Sequence, residues 1–148
     1  MATHESIVSA AATAGTPFTA RRVEDSERLM TLPHHFGNRL LVFEGTVYDF
    51  MRRFAPDYRG AFWHFYELST GGFYMAPEHE GSFRLSIDTN GYAGEMSADA
   101  AGITVCLFAY SHLSFRFADD DRFAAHFHSL REFAIHHAEV SEIFAAID

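Results

Sequence analysis

The chain has 148 residues, 48% of them apolar, with 16 Phe, 6 Tyr and one Trp. That is material for one domain with a true hydrophobic core, which excludes wholesale disorder. The net charge is −9 and all 11 basic residues are Arg; such a chain lacks the cationic footprint needed to hold nucleic-acid phosphates or an anionic membrane surface.

Residues 1–20 are rich in Ala, Thr and Ser without apolar period and read as a flexible tail, which leaves 21–148 as one domain. Asp25 or Ser26 is placed to cap a short helix that ends before Pro33. Leu40, Phe43, Val47, Tyr48, Met51 and Phe54 recur at spacings of three and four, the mark of an amphipathic helix, and Pro56 lies just past its end. Phe62 to Leu68 is aromatic on both faces, as expected of a strand covered on both sides. Across Ser69-Thr70-Gly71-Gly72 it faces a second run, Phe73 to Ala76, so a hairpin is expected. Phe83, Leu85 and Ile87 alternate with polar residues, Asn90-Gly91 suits a type I′ turn, and Tyr92 to Met96 returns. Ser97 is placed to cap a buried helix from Ala98 to Phe115. Asp119 to Asp121 opens another helix, with Phe123, Phe127, Leu130 and Ala134 on its apolar face, and Val140 to Ile147 forms a last one. The expected class is α+β: a small antiparallel sheet, three or four strands in a meander, packed with several helices, mostly C-terminal.

Motif by motif, catalytic chemistry finds little support. There is no GxSxG elbow, P-loop, GxGxxG or HExxH. His34-His35 and His136-His137 are adjacent pairs that diverge on a helix, and His126 and His128 do not share a helix face, so histidines on solvated faces are expected and neither metal nor cofactor. Asp57, Glu67 and Glu95 lie near strand ends and could meet in one cleft as paired carboxylates, which leaves a small carboxylate or histidine enzyme as an alternative. Cys106, the one cysteine, lies in an apolar run and reads as a small buried hydrophobe; its solitude and the lack of a basic, apolar leader point to the cytoplasm.

The densest constellation is aromatic: Trp63, Phe65, Tyr66, Phe73 and Tyr74. Three roles fit it, namely filler between sheet and helices, a protein-binding patch, or a stacking platform for bases. Stacking needs nearby cations, and only Arg59 and Arg84 are close in sequence. The residues nominated for partner contact are Asp57, Tyr58, Trp63, Tyr66, Glu67 and Tyr74. Acidic mimicry of DNA is a further alternative, although the acids are scattered and the one tight run, Asp119 to Asp121, suits a helix start.

Several blocks carry a family resemblance: Leu32-Pro33-His34-His35-Phe36-Gly37; Asp57-Tyr58-Arg59-Gly60; the long run from Phe62 to Pro77; Asn90-Gly91-Tyr92; Met96 to Ile103; and the ending Ile143 to Asp148. Together they resemble the ArdB/KlcA antirestriction proteins of conjugative plasmids and related mobile elements, over about residues 24–148. The resemblance implies a compact α+β domain that reduces restriction by type I restriction-modification systems, with no cofactor and no catalysis, and distinct from the acidic DNA-mimic class. The implied partner is the type I complex or a host protein associated with it.

Overall fold

The computed structural model describes residues 18–148. The chain runs β1 (Ala20–Arg22), α1 (Arg28–Phe36), α2 (Leu40–Phe54), β2 (Trp63–Leu68), β3 (Phe73–Pro77), β4 (Ser82–Ile87), β5 (Tyr92–Ser97), α3 (Ala98–Arg116), α4 (Asp121–Ile135) and α5 (Val140–Ile147). The class is the expected α+β. The antiparallel pairing is divided between two sheets, β1-β2-β3 and the hairpin β4-β5. The expected tail lies outside the described residues for 1–17, whereas Phe18 to Ala20 belong to the domain: Ala20 is buried and opens β1, paired with Leu68.

α3 is the hub. Ala100 to Leu107 are buried without a break, about two turns covered on every side, so no amphipathic stripe exists there. It packs on α2, α4, α5 and β3. Closest is β3: a Cβ on Gly102 would sit 2.4 Å from the Ala76 Cβ and 2.6 Å from the Met75 carbonyl oxygen. Glycine here lets a helix cap the outer edge of a sheet, a standard way to hide unpaired strand backbone. Side chains of α3 then satisfy that edge. The Met75 N–H bonds the Cys106 Sγ, the thiol returns to the Met75 carbonyl, both at 3.5 Å, and the Tyr110 hydroxyl donates to the Phe73 carbonyl at 2.7 Å. Cys106 is thus more than apolar filler; burial pushes its thiol up to about 12.

Local differences from the sequence reading have physical reasons. α1 continues through Pro33 to Phe36 and ends at Gly37, whose φ is 56°. The proline removes the N–H that would meet the carbonyl of Leu29, but Leu29 lies in the exposed first turn, where a freed carbonyl is not buried. The β4-β5 connection is the four residues Asp88–Gly91, not a two-residue turn, because Ile87 pairs with Tyr92. Gly91 takes positive φ there, at 77°, and Asn90 turns its side chain to the Tyr92 N–H and the Ala146 carbonyl. α4 begins as expected: Asp120 accepts the Arg122 N–H at 3.1 Å as its cap.

Candidate functional site

The aromatic block is mostly core. Trp63, Tyr66 and Tyr74 are buried, so as contact residues they are corrected to structural ones. The reason is that β2 and β3 are covered on both faces, leaving no solvated side for large rings. Tyr66 stacks on Tyr74 with ring centres 4.7 Å apart, and Trp63 donates its indole N–H to the Tyr58 hydroxyl at 2.9 Å. Tyr58 is half-buried, and Asp57 is exposed and pairs with Arg84 at 3.2 Å, which holds its carboxyl below the ordinary range. Arg84 also faces Glu95 across the hairpin. Glu67 is not with them. It bonds His35 Nε2 through both oxygens, at 2.8 and 3.0 Å, and lines a groove beside α1. The three carboxylates nominated for a common cleft therefore do not share one.

Behind the block, the structure assembles a polar network that the sequence reading missed. It lies at the corner where α3 begins and α4 meets α5, beside a cleft of about 400 Å³ bordered by Arg22, His64, Tyr66 and Glu78. The Tyr74 hydroxyl donates to Asp99 at 2.6 Å, and Asp99 also takes the Nε2 proton of His137 at 2.8 Å. The other ring nitrogen of His137 accepts the Glu139 N–H at 2.9 Å, which fixes the neutral tautomer. Burial, reinforced by Asp99, pushes the Tyr74 hydroxyl well above its ordinary value. Ser97 caps α3 by accepting the Ala100 N–H at 3.1 Å and donates its own proton to Glu139 at 2.5 Å. The bonds among Asp99, His137, Ser97 and Glu139 clamp α3 to the α4–α5 junction. Asp99 and Ser97 were legible as helix-start residues; nothing local in the sequence points to His137, 38 residues away from Asp99.

The histidines are not all on solvated faces, as sequence spacing suggested. His35, His126 and His137 are buried, and His35 meets His126 edge to face with ring centres 4.9 Å apart. His126 stacks on Tyr110, and its Nδ1 is a buried atom without a hydrogen-bond partner among the described residues. Burial, then the neighbouring His35, lowers its pKa to about 4. Among the described residues no three metal-ligating side chains converge on a point that would hold an ion. The acidic run is tied to the fold as well: Asp120 bonds Arg39 at 2.7 Å and Arg122 at 2.8 Å. Among the described residues no helix is long and apolar enough to cross a membrane.

The sequence model of the family described as Antirestriction protein matches residues 56–148. Antirestriction protein KlcA of Escherichia coli is 48% identical over 139 residues, which is 90% of this chain and 95% of that protein. Putative antirestriction protein YubI of Escherichia coli (strain K12) is 34% identical over 132 residues, covering 85% of this chain and 93% of its own. A solved structure, described as showing for the KlcA and ArdB proteins a novel fold and antirestriction activity against Type I DNA restriction systems in vivo but not in vitro, superposes with a TM-score of 0.83. The two are 45% identical, with 92% of this chain and 99% of that one covered. Identity and coverage of this order leave one conclusion: the chain belongs to the antirestriction protein family.

Proposed function

We propose that this chain suppresses type I restriction in the bacterial cytoplasm, and so protects incoming plasmid or phage DNA, by protein contact and without chemistry of its own. The observation that carries the reading is the state of its titratable groups. Around the corner cleft Asp99 is bonded to Tyr74 and His137, Glu139 to Ser97, and His64 to Glu78. Here these bonds hold Tyr74, Ser97 and the ends of α3 and α4 in place, a structural use of the groups. The relatives described as active in vivo but not in vitro behave as an inhibitor would that needs a cellular partner. The pairing of Asp120 with two arginines speaks for a helix cap over a phosphate mimic.

Of the nominated contact residues, Glu67 borders the groove beside α1 and Asp57 and Tyr58 lie apart from it, while Trp63, Tyr66 and Tyr74 are buried in and around the sheet. The test is the plating of unmodified phage on a type I restricting host, with and without the gene. The expected outcome is higher plating with the gene and no change on a non-restricting host. Unchanged plating on the restricting host overturns the reading.

A further inference from the structure

We infer that the contact is made through the exposed face of α1 and the neighbouring Phe62, and that the partner surface carries apolar side chains flanked by arginine or lysine. This rests on the protein-contact reading above and names its surface and the chemistry of its partner.

Leu29 and Met30 are 88% and 70% exposed, and Phe62 is 52% exposed. Large apolar side chains scattered singly on a surface need no explanation; here two are adjacent in α1, and Arg28 beside them in sequence reaches the third. Arg28 lies with its guanidinium 4.5 Å from the Phe62 ring centre and 3.9 Å from that of Phe65. It is therefore held between an exposed ring and a buried one, next to Leu29 in sequence. Met30, Pro33 and His34 continue the patch into a groove of about 490 Å³, whose far wall is formed by Val23 and Glu67. An aromatic ring and an arginine among aliphatic side chains, beside a groove, is the composition in which interface binding energy concentrates.

The patch sits on a helix held in place from behind. The His35–Glu67 pair ties α1 to β2, Thr31 is buried, and Phe36 stacks on Phe43 at 4.1 Å. Leu29 and Met30 thus project from a fixed frame, so little ordering cost stands against binding.

Charge selects the partner. Glu24, Asp25 and Glu27 occupy the stretch that enters α1, and Glu67 lies across the groove; against these four acids stand Arg21 and Arg28, Arg22 being turned to Tyr66 and the other cleft, so the balance beside this groove is −2. Arg21 is engaged with Glu27 at 3.3 Å, and Arg28 is covered by its two rings. An apolar patch with a net acidic rim favours a partner of opposite pattern and repels a second copy of the same face.

The test combines two measurements in cells that carry a type I system. First, Leu29→Asp, Met30→Asp and Phe62→Ser are compared in phage plating with Leu41→Asp and Phe115→Asp, which alter exposed apolar residues elsewhere. All five side chains are exposed, and an unchanged thermal melt confirms that each variant folds. The α1 and Phe62 variants are expected to lose protection at least about tenfold, the scale for one interface anchor, and the controls to keep it. Second, a photo-crosslinking amino acid is placed at position 29 and, separately, at position 115. A discrete adduct from position 29 but not 115, weakened by Glu24→Arg with Asp25→Arg, is expected. Failure of the parent chain to protect would strike the protein-contact reading itself. Protection by the parent chain with folded α1 variants that protect equally well, an adduct of twice the chain mass, or an adduct insensitive to charge reversal would each overturn this inference alone.

Discussion

Replacing His126 by Phe separates a cost of burial from the packing that surrounds it. The imidazole is 8% exposed, stacks on Tyr110 and touches Phe36 at 5.1 Å, so a phenyl ring has a ready place. In the native protein its pKa falls from 6.5 to about 4, first through burial and then through His35; Arg122 and His34 act in the same direction and Glu67 opposes them. Unfolding between those two values takes up a proton, so the neutral ring supports the native state above about pH 6.5, and that support is lost as pH falls toward 4. At about 1.4 kcal/mol per pH unit, the native state should lose about 3 kcal/mol on this account between pH 7 and pH 4. The assay is urea unfolding of parent and His126→Phe at both pH values. His64, also lowered by burial, remains in both proteins and cancels in the comparison. The variant should match or exceed the parent at pH 7, since it also removes the unpartnered buried Nδ1, and should lose about 3 kcal/mol less on acidification. Equal acid losses in the two proteins, within about 0.5 kcal/mol, would refute the reasoning.

Two further outcomes test the junction of α3 with β3. Gly102→Ala should destabilise by about 3 kcal/mol in urea unfolding, because the new methyl meets the Ala76 Cα and the Met75 carbonyl oxygen at 2.6 Å, and backbone cannot swing aside. Cys106 should resist a disulfide reagent in native buffer at pH 8 and react once per chain in urea, since the thiol is fully buried and its pKa stands at about 12; rapid stoichiometric labelling of the native protein would contradict this placement.

Elements set by local periodicity were legible before the fold was known. β4 alternates exposed and buried residues throughout, and α2 buries Phe43, Val47, Met51 and Phe54, the positions its spacing marks. β1 was not legible, because three residues carry no pattern and its pairing partner, Leu68, lies far along the chain. The aromatic block was legible as a strand pair but not as a site. Composition says that rings are present, while exposure depends on which helices arrive to cover them. The resemblance to the antirestriction proteins rested on long blocks and proved sound; the choice of contact residues within those blocks assumed that conspicuous aromatics are exposed. His137 and Glu139 show the same limit from the other side: their roles exist only because α3 starts beside them.

Side chains that face inward from the central block, such as Tyr74, Phe73 and Tyr110, hold α3, β3 and the corner network together, so truncating them removes native structure and with it any contact the molecule makes. Leu29, Met30 and Phe62 are exposed, and truncation there costs the folded state little. A loss of protection in a Tyr74 variant therefore says nothing about contact, whereas the same loss in a Leu29 variant that melts like the parent says nearly everything. The most unusual residues of this sequence are thus poor guides to its contact surface, and the plain aliphatic pair at the start of α1 is the better place to look.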